Sequence, residues 1–475
     1  MTATMSRLPL PELEPNRELV VPEVVERRLP NGLTVLVIQR PTVPLVEVRL
    51  RMPFGGAGLA PAAVLAQTLL SGTQTMTNVE IAAELQAMGG ALAAGVDPDR
   101  LLVSGNGLVT GLDRILDILA EVVTGAAYPA EEVATESDRL VDRIQVARSQ
   151  PSHLVRVALL RRMYGDHPYA VQTPDPEQVR AVTPDALREL HDARLHPTGA
   201  TLVLVGDLDP EAAMVAAERA LGGWNGGGAP VELPPTPPLV TGPLVLADRP
   251  GAVQSSLRLA LPAVGRIHRD HAALQLANLV FGGYFSSRWV ENIREDKGYT
   301  YGPHSVIDHS VAGSALIVAA EVATAVTAAA LWETVYELGR LATVPPAVAE
   351  LEQARQYALG TLQLGLSTQA SLAGLASSYA GFGLRLDYLA RHARALATAT
   401  VDDVAAVAAT YLAPARAVTV VLGDAEVVEP GLAALTPVAR DSSLPAPTGE
   451  PGIGGESGAG GESGVGVGSG GPTAP

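Results

Sequence analysis

Metal-assisted hydrolysis needs imidazole or carboxylate donors that converge, so the nine histidines of the chain are the first residues to weigh. His268 and His271 form the only pair at helical ligand spacing, i and i+3 at a helix start, and no third ligand is identifiable beside them. A solvated first turn is the expected state of that pair. His191 and His196 straddle the end of a helix and are not expected to converge. A serine nucleophile is compatible with the composition, yet no Gly-x-Ser-x-Gly elbow is present. There is no phosphate cradle of the G-x-x-x-x-G-K-S/T kind, and the glycine clusters at 55–58 and 222–228 do not join a strand to a helix. Cysteine is absent, which removes thiolate nucleophiles, disulfides and cysteine-held metals. What remains is the segment from Gly282 to Gly302, which gathers three of the eleven tyrosines, one of the four phenylalanines, Arg288 and Arg294. Aromatic and arginine side chains cluster in this way on recognition surfaces. A helix surface with snorkelling arginines is the alternative reading.

The scaffold that must position such a segment is large. The chain has 475 residues, 47% hydrophobic and only 4% aromatic, so its cores are built from Ala, Val and Leu, with length for two to four domains. Acidic residues outnumber basic ones 50 to 33, a formal charge of −17, which argues against a nucleic-acid partner. No apolar run free of breakers and charges reaches the roughly 20 residues that span a membrane, and residues 1–20 lack the apolar core of a signal peptide. A soluble, cytoplasmic protein is expected.

The sequence divides into two similar halves. Thr183-Pro-Asp185-Ala-Leu187 opens a helix that runs to Leu195, followed by Pro197, the strand Thr201–Val205 and Gly206-Asp207. Thr400-Val-Asp402-Asp-Val404 opens a helix that runs to Leu412, followed by Pro414, the strand Val418–Leu422 and Gly423-Asp424, each position offset by 217. A duplicated domain explains this offset. Strand-like runs at Leu33–Gln39, Val46–Met52, Leu101–Ser104, Leu257–Leu261 and Ala315–Ala319 accompany helical segments at 112–125, 131–149, 270–281, 324–342 and 347–364. Thr77 with Glu80 reads as a capping box, and Thr183-Pro184 as an N-cap with proline at the first helical position. The resulting expectation is an α+β chain: an N-terminal extension at 1–24, a first domain at 25–222, a Gly/Pro-rich linker at 223–245, a second domain at 246–432, and a disordered Gly/Ser-rich tail at 433–475.

Across roughly 25–425 the chain resembles the M16 (insulinase or pitrilysin-type) metallopeptidases, in particular their M16B branch. The pieces are Leu29-Pro-Asn-Gly-Leu-Thr-Val35, Gly58-Leu-Ala60, Gly72-Thr73, Met88-Gly-Gly90, His167-Pro-Tyr169, Gly206-Asp207 and Arg294-Glu-Asp-Lys-Gly298-Tyr-Thr-Tyr301-Gly302, in this order. The resemblance implies a tandem of two homologous α+β domains, each a mixed sheet covered by helices, similar to LuxS and the mitochondrial processing peptidase. Active members carry the zinc motif H-x-x-E-H and a glutamate about 75 residues later. Counted back from Gly72-Thr73, the histidine positions fall on Ala63 and Gln67, the base on Ala66, and the distant glutamate near Arg143. Alanine offers no donor atom and arginine is a fixed cation, so no cofactor is expected in this chain. The family's Arg and Tyr, seven residues apart, correspond to Arg294 and Tyr301, which can hold a substrate carbonyl and donate to an oxyanion.

The resemblance therefore implies a non-catalytic subunit. It would pair as a heterodimer with a zinc-bearing M16B homologue, enclose an unfolded peptide by strand addition to a sheet edge, and donate Arg294 and Tyr301. The mitochondrial non-catalytic subunit's long Gly-rich loop is represented here only by Val280–Phe285, which favours the bacterial type. A purely structural scaffold, as in the core subunits of respiratory complexes, is the alternative. A self-sufficient enzyme with a metal at His268 and His271 is a third.

Overall fold

The computed structural model describes residues 18–228 and 232–441. It contains two six-stranded sheets. The first joins β1 (Val25–Arg28), β2 (Thr34–Gln39), β3 (Leu45–Pro53), β4 (Ala91–Val96), β5 (Arg100–Leu108) and β6 (Thr201–Gly206) in the order β1-β2-β6-β3-β5-β4. The second joins β7 (Leu244–Asp248), β8 (Gln254–Pro262), β9 (His304–Ser310), β10 (Gly313–Ala323), β11 (Val418–Gly423) and β12 (Val438–Asp441) in the order β12-β7-β11-β8-β10-β9. Taken strand by strand the orders coincide: β6 runs parallel to β2 and antiparallel to β3, as β11 does to β7 and β8. They differ at one edge, where β1 is antiparallel and β12 parallel to its neighbour.

The first lobe carries α1 (Leu59–Thr68), α2 (Asn78–Ala87), α3 (Leu112–Gly125), α4 (Ala130–Ser149), α5 (Pro151–Tyr164), α6 (Pro176–Arg180), α7 (Pro184–Arg194) and α8 (Pro210–Leu221). The second carries α9 (His271–Asn278), α10 (Arg288–Val290), α11 (Thr327–Thr343), α12 (Val348–Gly365), α13 (Gln369–Gly381), α14 (Tyr388–Thr398), α15 (Val401–Tyr411) and α16 (Ala425–Ala433). The Thr77–Glu80 capping box starts α2, and the Thr183 and Thr400 hydroxyls cap α7 and α15. These two helices and the strands β6 and β11 all lie 217 residues apart, so the repeat seen in the sequence is a repeat of structure.

Both faces of the central strands are buried, and the two lobes share the work of covering them. Leu202 and Leu204 of β6 pack into the first lobe's own helical core, while Val203 and Val205 face α13 of the second lobe. In the second sheet Val421 belongs to that lobe's own core, and Val418, Val420 and Leu422 meet Leu154, Val155 and Leu159 of α5. Each lobe thus lends one helix to the other's sheet. The row that α13 covers includes charged residues: Glu47, Arg49 and Arg51 of β3 are all under a tenth exposed. Glu47 and Arg49 pair at 2.7 Å, but Arg51 has no hydrogen bond among the described residues, and its guanidinium lies against Gly381.

A Cβ at Gly381 would stand 2.4 Å from three atoms of that guanidinium, so the buried Arg51 side chain would have to shift. Gly381→Ala is therefore expected to lower the free energy of unfolding by about 1–3 kcal/mol in a urea titration, as overpacking of a filled interior does. A change within about 0.5 kcal/mol would show that α13 does not press on β3 as described.

The lobes are also tied through the β9–β10 turn. The Tyr169 hydroxyl donates to Asp99 and accepts from the Ala312 N–H at 3.0 Å, while the Val311 N–H donates to Asp99 Oδ2 at 3.0 Å. The His167 ring meets the carbonyl of Pro234 at 2.8 Å and the Thr236 N–H donates to Ala312, so the His167-Pro-Tyr169 run holds both the linker and the hairpin.

Some boundaries differ from the sequence expectation. Ordered structure continues beyond 432, because β12 pairs with β7 up to Asp441. Strand β7 begins inside the stretch read as linker. Leu19, Val21 and Val24 of the expected extension pack beside α13 and α14. Residues 1–17, 229–231 and the tail from 442 lie outside the described residues. No helix among the described residues is long and apolar enough to cross a membrane.

Candidate functional site

The Gly282–Gly302 segment splits into a packed half and an open half. Helix α9 runs into a π-helical turn, Leu279–Gly283, so the expected helix at 270–281 changes its winding midway. Trp289 is buried, stacked on Phe281 at 5.3 Å, and donates to the Thr334 hydroxyl. Arg288 closes on Glu350 through two nitrogens, at 2.6 and 2.8 Å, and Tyr284 stacks on Tyr357. These residues build the wall. They are not free to recognise anything.

A second π-helical turn, Glu291–Asp296, follows α10 and carries Arg294. π-Turns are rare and often found at functional sites, because the extra residue re-aims side chains. Gly298, at φ +64°, then reverses the chain in a backbone region that glycine adopts freely, and the Tyr299 N–H returns to the Ile293 carbonyl at 2.8 Å. This reversal brings Tyr301 back over Arg294. The Arg294 Cζ lies 4.9 Å from the centre of the Tyr301 ring and 4.5 Å from that of Phe285, with Nε 3.2 Å from Glu295 Oε1. A guanidinium between two rings is held by cation–π attraction, with its N–H edges left to donate. The Tyr301 side is open to solvent, at 85% exposure. The cleft beside the pair is lined by Gln254, Glu321 and Ala323, and every lining residue belongs to the second lobe. The family resemblance pairs Arg294 with Tyr301; the second ring, Phe285, was not singled out, although it lies in the same flagged segment.

Of the four positions that the resemblance assigns to zinc and its base, two are in contact. Ala63, Ala66 and Gln67 lie on α1, Arg143 on α4, and the Arg143 guanidinium donates to Gln67 Oε1 at 3.0 Å. Two methyl groups, an amide and a cation already bonded to that amide do not fit a zinc ion. If these positions face one another as the family's ligands do, the fourfold variant Ala63→His/Ala66→Glu/Gln67→His/Arg143→Glu will hold close to one zinc per chain after dialysis, against none for the parent. Elemental analysis decides this, and a folded variant without zinc would place the positions apart.

His268 and His271 do not form a site. The exposed His268 accepts from the Asp270 N–H, while His271 is buried, its Nε2 3.2 Å from His309 Nε2 and its Nδ1 3.2 Å from the Tyr388 hydroxyl. His392 stacks beside Tyr388 and meets Gln275 at 2.7 Å. This group of three histidines, His271 and His392 buried and His309 partly so, was not visible in the sequence, because its members are 38 and 121 positions from His271. Burial, reinforced by mutual proximity and by Arg266, pushes His271 down to about 2, His309 to about 3 and His392 to about 4. Among the described residues no group of three or more His, Asp or Glu side chains is placed to hold a metal. His191 is a buried structural residue, bonded to Tyr128 and the Val123 carbonyl, and His196 meets the carbonyl of Ala193 instead.

Comparison with known proteins agrees with this architecture. Residues 62–177 match the family profile described as Insulinase (Peptidase family M16), and residues 181–357 match Peptidase M16 inactive domain. An uncharacterized zinc protease of Mycobacterium leprae is 28% identical over 60% of this chain and 66% of its own length. One from Mycobacterium bovis is 27% identical over 80% of this chain and 89% of its own. Among solved structures, a peptidase M16 inactive domain from Pseudomonas fluorescens has a TM-score of 0.78 at 23% identity, covering 84% of this chain and 98% of that one. A protease from Helicobacter pylori has a TM-score of 0.78 at 18% identity, covering 85% of this chain and all of that one. The two family profiles together span more than half of the sequence, in the order of the two lobes, and the chain belongs to the M16 peptidase family.

Proposed function

We propose that this chain is a non-catalytic subunit of the M16B type. It pairs with a zinc-bearing homologue in the cytoplasm and supplies Arg294 and Tyr301 to a chamber that takes unfolded peptides. One observation carries the reading: a guanidinium and a phenol stand 4.9 Å apart on an open surface, and no residue of the chain's own first lobe lines the cleft beside them. Whatever group they act on must then come from outside the chain. In that role the arginine edge binds a peptide carbonyl and the phenol donates to the oxyanion that develops on it, while zinc stays with the partner. The Arg143–Gln67 contact supports the same division of labour, since it leaves this chain without a place for the metal.

The test is a mixing experiment with a zinc-bearing M16 homologue from the same genome. The expected outcome is no peptide hydrolysis by this chain, little by the homologue, and rapid hydrolysis by a one-to-one complex. A homologue whose turnover and elution volume are unchanged by this chain would refute the pairing and favour the scaffold reading.

A further inference from the structure

A second cavity, of about 460 Å³, opens where α5, the linker, the β9–β10 turn and the turn after α13 meet. It is remote from the Arg294–Tyr301 cleft. Ser314 of β10 lines one and Glu321 the other, which puts them about 23 Å apart at about 3.3 Å per strand residue. Its walls are largely apolar, with Leu239, Phe382 and Leu384 among them, and two donors face it without an acceptor.

The first donor is Arg266. Its guanidinium lies 5.4 Å from the Tyr379 ring centre and 5.3 Å from that of Phe382, its Nε is buried, and it makes no hydrogen bond or ion pair among the described residues. A shortage of acids does not explain this, since the chain carries 50 against 33 basic residues. Arg49, Arg258 and Arg288, similarly enclosed, each close on a glutamate. The titratable groups packed around Arg266 are instead the three histidines, kept neutral by burial and by its own charge, with the Tyr379 and Tyr388 phenols. The second donor is Tyr164. Its hydroxyl has no hydrogen-bond partner among the described residues, and burial together with the nearby Asp308 and Asp99 carboxylates pushes it up to about 12, so it keeps its proton and Arg266 is the group an incoming anion meets. A half-enclosed cation without a counter-charge is costly to maintain.

We infer that this cavity binds a monocarboxylate on a compact apolar body, its carboxylate on Arg266 and its body against Leu239, Phe382 and Leu384. One guanidinium fork matches one carboxylate, whereas a phosphate dianion would call for further cations that the walls lack. The volume suits a ligand of dipeptide size, so the free C-terminus of an apolar peptide is the occupant the chemistry favours. The site lies within this chain and does not depend on the pairing proposed above.

Calorimetric titration of the full chain with N-acetyl-Leu-Leu and with its C-terminal amide tests this. The acid should bind at least about tenfold more tightly than the amide, the difference that one charge-assisted contact makes. Arg266→Met should abolish that preference, and Arg27→Ala, a surface arginine outside both clefts, should change nothing. Equal binding of acid and amide, or an unchanged preference in a folded Arg266→Met chain, would overturn the assignment. So would displacement of the acid by an equal concentration of inorganic phosphate. Should Arg266→Met not fold, the acid-against-amide comparison on the parent chain decides alone.

Discussion

Arg294→Ala is expected to lower peptide turnover by the mixed enzyme about 10²-fold to 10³-fold, the usual loss when one preorganised donor to a developing oxyanion is removed. Tyr301→Phe should fall in the same range for a separable reason. The ring stays over the guanidinium, 4.9 Å away, so Arg294 remains held and only the phenol proton is lost. The loss should therefore appear in kcat with KM nearly unchanged, as for a group that acts in the transition state alone. Arg294→Ala should affect both, because a guanidinium also binds the ground-state carbonyl. Phe285→Leu removes one of the two rings that clamp Arg294 and leaves every donor in place, so a loss of only about 3–10-fold is expected, with partial return in Phe285→Tyr. Steady-state kinetics on a fluorogenic peptide separates these cases, and full activity in both Arg294→Ala and Tyr301→Phe would leave the chain a scaffold.

The second large effect is acid instability centred on the histidine group. His271, His309 and His392 have folded values of about 2, 3 and 4, all below the ordinary 6.5 of an unfolded histidine. Below pH 6.5 the unfolded chain therefore binds protons that the folded chain refuses. Their contribution to stability is complete above that pH and is lost as pH falls toward 4, by about 1.4 kcal/mol per pH unit for each histidine. Carboxylates add to the slope, so the informative comparison is with His309→Gln, whose side chain keeps an amide near His271 but takes up no proton. Urea unfolding between pH 6 and 4.5 should show a slope smaller by about one proton in the variant. Identical slopes would mean that His309 is not a neutral, partly buried group.

Much of this molecule could be read from its residues, and the exceptions have physical causes. Helix starts were legible where a side chain closes its own cap, as Thr77, Thr183 and Thr400 do. The duplication was legible because the Thr-to-Gly-Asp stretch keeps both its spacing and its apolar strand in each half. The exchange of α5 and α13 was not. Each packs across the molecule, so its apolar residues answer to a partner sheet hundreds of positions away in the chain. Strand β3 alternates valine, leucine and methionine with Glu47, Arg49 and Arg51, the pattern of a strand with one wet face, yet α13 covers that face. Edge strands β4 and β9 escaped because small residues in one and polar residues in the other carry no strong strand preference. In the site, the residues' own chemistry marked out only the Gly282–Gly302 segment, and the pairing of Arg294 with Tyr301 came from the family resemblance. The histidine group and the Arg266 cavity were hidden because their members come from separate elements.

In the assembled enzyme Tyr301 is expected to touch the peptide. The most direct measurement replaces it with a photoreactive residue, Tyr301→p-benzoyl-phenylalanine, and irradiates the complex with the zinc-bearing homologue in the presence of a slowly cleaved peptide. A covalent adduct between position 301 and that peptide, absent when the homologue is left out, is the predicted result. An assembled complex that cleaves peptide yet gives no adduct at 301 would show that Tyr301 does not reach the substrate.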